Sequence, residues 1–257
     1  MRVFNTRSKN ILYFIYRFVN QIIDPVKIIT GITGYFWYIR DLIRFSRLTP
    51  KEKLISINMY PFLSDKVDLT PFDSHYFFQE IWALHKILQH KPTSHVDIGS
   101  KYQFSGYVSL FCKSIFVDLR PIETKLKNLT VTKGDILKLP YASNSLESIT
   151  TLHVIEHIGL GRYGDELDPD GTMKACREMA RVLKKSGYLY ISLPVGRYRI
   201  CFNAHRVFTP DSIVGYCRGL RLVDFAVVDD DGKFIEHADY RKFNHLNYGC
   251  GMFEFRK

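Results

Sequence analysis

The chain lacks the cysteine patterns that organise disulfide-stapled or zinc-stapled domains. Its five cysteines, Cys112, Cys176, Cys201, Cys217 and Cys250, are odd in number and form no CxxC pair. That favours reduced, mostly buried thiols in a cytoplasmic protein over a disulfide framework. Long apolar runs are missing as well. The apolar segment near the N-terminus is interrupted by Arg17, Asn20 and Gln21, which leaves it too short and too polar to span a bilayer. No small-residue cleavage site follows it, so a secretory signal is not expected. There is no internal repeat and no low-complexity linker, and 46% hydrophobic with 24% charged residues is an ordinary globular balance.

The net charge of +10 is unevenly placed: residues 1–53 hold ten Lys/Arg against three Asp/Glu, and the other 204 residues are nearly neutral. A nucleic-acid partner needs its basic patch on the folded body, so none is expected. The 257 residues suffice for one large α/β domain with an appendage.

Residues 1–48 read as helical. Ile11, Ile15, Phe18 and Ile22 recur at helical spacing beside Leu12, Val19 and Ile23. Asp24-Pro25 then reads as the N-cap and first residue of a second helix, carrying Phe36, Trp37, Tyr38 and Arg40 to about Leu48. Basic and aromatic residues mixed along such helices suit either a membrane-surface anchor or packing against the main domain or a homodimer partner. Thr49-Pro50 with Glu52, Thr70-Pro71 and Thr209-Pro210 mark three further helix starts. The helix after Pro71 is expected to run to about His90, with Phe77, Ile81, Leu84 and Leu88 facing a core and Lys86 and Gln89 outward. The expected domains are a helical, basic extension over 1–91 and an α/β domain over 92–257.

From Thr93 strand and helix signals alternate. Apolar runs at Ser94–Ile98, Ser114–Asp118, Glu147–Val154, Tyr188–Leu193, Arg221–Val228 and Gly251–Phe255 predict strands, and Thr172–Lys184 predicts a helix with Ala175, Met179, Val182 and Leu183 on one side. Such alternation with short loops predicts a Rossmann-like, doubly wound, mostly parallel sheet. Ligands of these sheets lie beyond the carboxyl ends of the strands. The first strand ends Asp97-Ile98-Gly99 and the second in Asp118, about 20 residues on, the spacing of a nucleotide site. Lys101 and Phe104 stand where a pyrophosphate cradle wants glycine. A nucleoside without phosphates therefore fits better than a dinucleotide.

The stretch Leu152–Asp165, LHVIEHIGLGRYGD, carries two literal motifs that its context opposes. Gly159-Leu-Gly-Arg-Tyr-Gly164 spells GxGxxG, but carboxylates at Asp165, Glu166, Asp168 and Asp170 follow it and would repel a phosphate. His153-Val-Ile-Glu-His157 spells the inverted zinc-protease signature, which needs a helix to bring both histidines to one face. Here it closes a predicted strand and no third ligand is assigned, so no metal is expected.

The succession DIGS, VDLR, GDILKLP, SLESITTLHVIEH and RVLKKSGYLYISLP resembles the class I methyltransferases that use S-adenosylmethionine, from about Ser94 to the C-terminus. EHIGLGRYGDELDPDG, LPVG and FNAHRVF more narrowly resemble a methyltransferase-like family known only as a domain of unknown function. The resemblance implies that Asp97, Gly99 and Ser100 line the methionine end of the cofactor, that Asp118 and Leu119 hold the ribose, and that Asp135 and Ile136 take the adenine. It implies that His153 and Glu156 lie between cofactor and acceptor, and that GLGRYGD is an acceptor loop. There Arg162 would meet an acidic substrate, or tie to Asp165 or Asp168 as scaffolding, and Tyr163 would stack on a ring. The expected acceptor is a small-molecule or glycan-linked hydroxyl, with His157 first and His205 second as its base. The alternative is a non-catalytic protein of the same fold, suggested by Lys101 and Phe104. The location expected is cytoplasmic, with peripheral membrane contact through residues 1–48.

Overall fold

The computed structural model describes residues 6–50 and 59–257, with side chains from Tyr13 onward. The chain divides into two compact units, Met1–Phe72 and Asp73–Lys257. The first holds α1 (Thr6–Val19) and α2 (Pro25–Leu48). Asp24 caps α2 by accepting from the Val26 and Lys27 amides, as Asp24-Pro25 predicts. Many of its apolar side chains are exposed, among them Phe14, Phe18, Ile22, Ile29 and Phe36. Among the described residues no helix is long and apolar enough to cross a membrane. The helix start expected at Thr49-Pro50 with Glu52 falls on residues outside those described; Thr49 itself ends α2.

The second unit opens with α3 (Ser74–His90), then β1 (Ser94–Ile98), α4 (Tyr102–Val108), β2 (Lys113–Asp118), β3 (Leu129–Lys133), β4 (Leu146–Leu152), α5 (Gly171–Val182) and β5 (Leu183–Val195). The hairpin β6 (Arg199–Cys201) and β7 (His205–Val207) follows, then α6 (Pro210–Tyr216), β8 (Arg221–Val228), β9 (Phe234–Ile235) and β10 (Gly249–Arg256). One sheet runs β3-β2-β1-β4-β5-β10-β8-β9. β3, β2, β1, β4 and β5 are mutually parallel, and β10 inserts antiparallel between β5 and β8. The chain steps outward from β1 to β3 and then returns to β4 on the other side of β1. That reversal opens a crevice beyond the ends of β1 and β4.

Alternation along the strands sends side chains to two cores. Leu189, Ile191 and Phe253 pack with Ala175, Met179 and Val182 of α5, while Tyr190 and Met252 pack with Trp82, Ala83 and Ile87 of α3 and Phe104 and Val108 of α4. Truncating Trp82 to Ala would cost about 3–5 kcal/mol.

Two expectations for α3 need correction. The helix starts after Asp73, whose carboxylate accepts from the His75 and Tyr76 amides, and not at Thr70-Pro71. Its inward face carries Gln79, Trp82, Ala83, Lys86 and Ile87, while Phe77, Ile81 and Leu88 are about half exposed. Lys86 goes inward because two acids meet it: its Nζ lies 2.8 Å from Asp224 on β8 and 2.8 Å from Glu254 on β10. Burial alone would lower the Lys86 pKa, but these two carboxylates raise it above its ordinary value. Because α3 packs on the sheet, the boundary lies before it, at residues 72–73, and not at Lys91-Pro92.

Candidate active site

A cavity of about 240 Å³ lies where the crevice was expected, at the carboxyl ends of β1, β2 and β4. Gly99, Asp118 and Ile136 line it, with His153 and Tyr163 on the loop side. Gly99 has φ +69°, and a Cβ there would sit 3.0 Å from Val154 Cγ1; only glycine keeps the turn low and the crevice open. Asp118 ends β2 and anchors the next turn by accepting from the Arg120 amide at 2.7 Å. Leu119 and Ser100 also line the cavity, and Ile136 offers a buried apolar wall.

Two of the expected cofactor contacts lie elsewhere. Asp97 is fully buried beneath the cavity and does not line it. Its carboxylate accepts from Ser100 (2.5 Å), Ser105 (2.6 Å) and Thr150 (2.7 Å). Ser100 Oγ in turn accepts from the Leu152 amide, so Asp97 joins the first turn to β4 and α4. Burial pushes its pKa up to about 6 against the pull of those hydroxyls. Thr150 spends its proton on Asp97, so it accepts from His95 Nε2 at 2.9 Å and the buried network closes. Asp135 is exposed and spends one oxygen on the Leu137 amide; its neighbours Gly134 and Ile136 are the ones facing the cavity.

Lys101 and Phe104 do not obstruct the cavity. Phe104 is wholly buried in the α3 core, and Lys101 Nζ sits 3.5 Å over the Tyr76 ring. Neither lines the cavity.

The GLGRYGD loop folds around its own acid. Asp165 accepts from the amides of Gly159 (2.7 Å), Gly161 (3.4 Å) and Tyr163 (3.2 Å), so the donors a phosphate would need are taken. Burial acts to raise the Asp165 pKa, but these amides hold it below the usual carboxylate range. Gly159, at φ +80°, lies so close to the Asp168 carbonyl that a Cβ would sit 2.0 Å from its oxygen. Arg206, 2% exposed, clamps the loop through the Ile158 (2.6 Å) and Asp168 (3.1 Å) carbonyls. Arg162 pairs with neither Asp165 nor Asp168. It donates to the Ala204 carbonyl at 3.1 Å. Tyr163 sits at the cavity rim, edge-on to His157 at 5.6 Å and under Arg120 at 4.6 Å.

Polar side chains from the segment after β4 meet others from α3, β7 and the residue before β10. His157 Nδ1 donates to the Ala204 carbonyl at 2.5 Å, which leaves the lone pair on Nε2, 3.6 Å from Glu156 Oε1. Burial, with Arg162 and His205 nearby, pulls the His157 pKa down to about 4 despite that carbonyl. Glu156 is fully buried, neither carboxyl oxygen has a hydrogen-bond partner, and burial pushes its pKa up to about 8. At neutral pH both groups are uncharged, so the pair is an acid beside a lone pair and not an ion pair. His205, on β7, lies 5.3 Å from the Tyr248 ring. His153, at φ +54°, has its Nδ1 2.6 Å from Gln79 Oε1.

The literal HxxEH does not form a protease centre, since His153 and His157 follow a strand and turn to different partners. Residues the sequence reading missed are His75, Tyr76 and Gln79 on α3 and Tyr248 and Cys250 at the start of β10. A polar Gln79 in register with Trp82, Ala83 and Ile87 was the available signal for the first group. β10 is buried on both faces, and no alternation marks Cys250.

Fold and crevice together define the class I methyltransferase fold. The N-methyltransferase NodS from Bradyrhizobium japonicum WM9, solved with S-adenosylhomocysteine, is 15% identical, with 78% of this chain and 93% of that one covered at a TM-score of 0.53. A protein proposed as a sarcosine dimethylglycine methyltransferase from Galdieria sulphuraria is 17% identical, with 70% and 86% covered at 0.51. The [4+2]-cyclase SpnF is 14% identical, with 69% and 80% covered at 0.51. At these identities the likeness is one of fold, and its members include a cyclase as well as methyltransferases. More narrowly, residues 130–231 match the model of a family described as Caenorhabditis protein of unknown function, DUF268. No curated protein matches the sequence significantly.

Proposed function

We propose that the chain binds S-adenosylmethionine and transfers its methyl group to a hydroxyl of a small-molecule or glycan-linked acceptor. The observation that carries this reading is a nucleoside-sized cavity with a carboxylate at its β2 wall, no free phosphate cradle, and a buried acid–histidine pocket behind it. Asp118 holds the ribose hydroxyls, Ile136 packs against the base, and Gly99 with Ser100 leaves room for the methionine end. When bound, S-adenosylmethionine supplies an activated methyl group on sulfur. The chain's own part is positioning and proton handling. His157 has its lone pair on Nε2 because its Nδ1–H is spent on Ala204. Burial keeps His157 uncharged, with a pKa near 4, so its ring nitrogen takes the hydroxyl proton as the oxygen accepts the methyl group, whereas Glu156, near 8, already carries its own proton and accepts none. Tyr163 lines the cavity, and His205, the second candidate base, lies beside Tyr248. Phe104 in the core and Lys101 over Tyr76 are both compatible with an open cofactor crevice.

Calorimetry with S-adenosylhomocysteine tests the reading. Folded protein that binds none at millimolar concentration refutes it; binding that Asp118→Ala abolishes supports it.

For the first unit, exposed apolar residues interspersed with Arg17, Arg40, Arg44 and Arg47 support contact with an anionic membrane surface. Phe14→Glu/Phe18→Glu in the full chain should lower sedimentation with anionic liposomes. Unchanged sedimentation counts against membrane contact.

A further inference from the structure

His75 on the first turn of α3, His153 just past β4 and Cys250 on β10 are far apart in sequence. Sheet order brings β4 and β10 to either side of β5 with α3 packed across them. One ligand atom from each residue, two imidazole nitrogens and a thiol sulfur, lies within 4.8 Å of the other two. Each is held in place. Asp73 caps the turn that carries His75, and the His75 ring stacks on Tyr248 at 5.5 Å. Cys250 is fully buried.

His153 is the most constrained of the three. Gln79 Oε1 can only accept, and both the Ser192 hydroxyl and His153 Nδ1 lie against it. The imidazole hydrogen is therefore on Nδ1 and the lone pair on Nε2. A histidine whose second nitrogen is tied to a buried acceptor is the usual arrangement around a metal, where the outer partner sets tautomer and ring direction. Gln79 is 1% exposed and sits one turn from Trp82 and Ala83 on the inward face of α3, a costly place for an amide with no task.

A second observation points the same way. Glu156, three residues after His153, is fully buried with both carboxyl oxygens unpartnered. Two imidazoles and a thiol gathered in one place form a mixed nitrogen and sulfur donor set. His157 is not part of it, since its ring nitrogens lie outside the group of ligand atoms that His75, His153 and Cys250 bring together.

We propose that His75, His153 and Cys250 bind one divalent transition-metal ion of the zinc class, beside the cavity that His153 also lines. Mixed nitrogen and sulfur donors select zinc, cobalt or similar ions over magnesium or calcium. Tetrahedral coordination at bond lengths of about 2.0–2.3 Å puts donors about 3.3–3.6 Å apart. Closing from 4.8 Å is a movement of side-chain rotamers. Three protein donors leave a fourth position for water or a ligand, the layout of a reactive rather than a structural site. The proposal does not depend on S-adenosylmethionine binding.

The test is cobalt(II) titration of the full chain after chelator treatment and removal of the chelator. One equivalent should bind and give a thiolate-to-cobalt charge-transfer band in the near ultraviolet, with visible bands of four-coordinate intensity. Cys250→Ser should lose the charge-transfer band, and Cys176→Ser and Cys112→Ser should keep it. His75→Asn and His153→Asn should weaken cobalt binding at least about 10-fold, and Gln79→Ala by about 10–100-fold. Circular dichroism confirms that each variant is folded; if Cys250→Ser does not fold, Cys250→Ala and the two histidine variants carry the test. Folded wild type that takes up no cobalt, or a band that survives loss of Cys250, overturns the proposal. Calorimetry with S-adenosylhomocysteine on the same metal-free protein separates the two readings: binding there with no cobalt uptake leaves the methyl-transfer reading standing alone.

Discussion

Glu156→Gln is the most informative single change. Its carboxyl is 0% exposed, its oxygens have no partners, and its pKa rises from 4.5 to about 8 on folding. The groups around it are His157, Arg162, Tyr76, Tyr248 and Cys250, and none donates a hydrogen bond to it. A raised folded-state pKa means the native chain binds the proton more tightly than the unfolded one. Its contribution to stability is therefore complete below about pH 4.5 and is lost as pH rises through about 8. At about 1.4 kcal/mol per pH unit, the loss by pH 7 is about 3 kcal/mol, an upper figure because a buried carboxyl draws in water. Glutamine has the same shape and a similar buried polar load but no proton to lose. In chelator-treated protein, Glu156→Gln should match wild type within about 1 kcal/mol at pH 5 and exceed it by up to about 3 kcal/mol at pH 7. Urea denaturation at both pH values, followed by near-ultraviolet circular dichroism, measures this. A difference between the two proteins that does not change with pH would refute the reasoning, because it would mean that Glu156 is solvated or paired.

Other expectations follow from the same geometry. Asp118→Ala should weaken S-adenosylhomocysteine binding at least about 10-fold by calorimetry, the scale of about two lost hydrogen bonds to a carboxylate, and an unchanged affinity would remove Asp118 from the pocket. Lys86→Met removes the ammonium shared by Asp224 and Glu254 and leaves them only His237 and His90, and urea denaturation should find it about 3–5 kcal/mol less stable; a loss below about 1 kcal/mol would mean that water or the two histidines replace the lysine. Gly159→Ala forces a methyl group against the Asp168 carbonyl and should destabilise by more than about 2 kcal/mol. Gly106→Ala, inside α4 with nothing within 4 Å, should be neutral or stabilise by up to about 1 kcal/mol. Thermal melts that rank these two alike would argue against the close packing of the loop.

The local pattern was enough for strands β1, β2, β4, β5, β8 and β10, but not for β3 or the short β6, β7 and β9. The strand over 221–228 falls where its apolar run placed it, and β1 and β2 end at Ile98 and Asp118 as predicted. Asp24-Pro25 and Thr209-Pro210 start their helices, because cap and proline geometry act within a few residues. The GxGxxG reading failed on context visible in the sequence, and Asp165 supplies the physical reason by filling the nest itself. The face of α3 was misread because a stripe count assumes that apolar residues point inward. Lys86 is drawn in by acids 138 and 168 residues away, and such partners are invisible until the strands pair. Asp97 carries the motif but serves the floor of the site, since three hydroxyls from different elements close on it. In Leu152–Asp165 the sequence alone determined a strand end followed by a glycine-rich loop. Only the tertiary structure decided which histidine faces which partner: His157 turns to Ala204, and His153 turns to Gln79 with His75 and Cys250 alongside. Periodicity and capping are local and can be read from spacing, whereas the direction of a buried polar side chain is set by whichever distant group satisfies it.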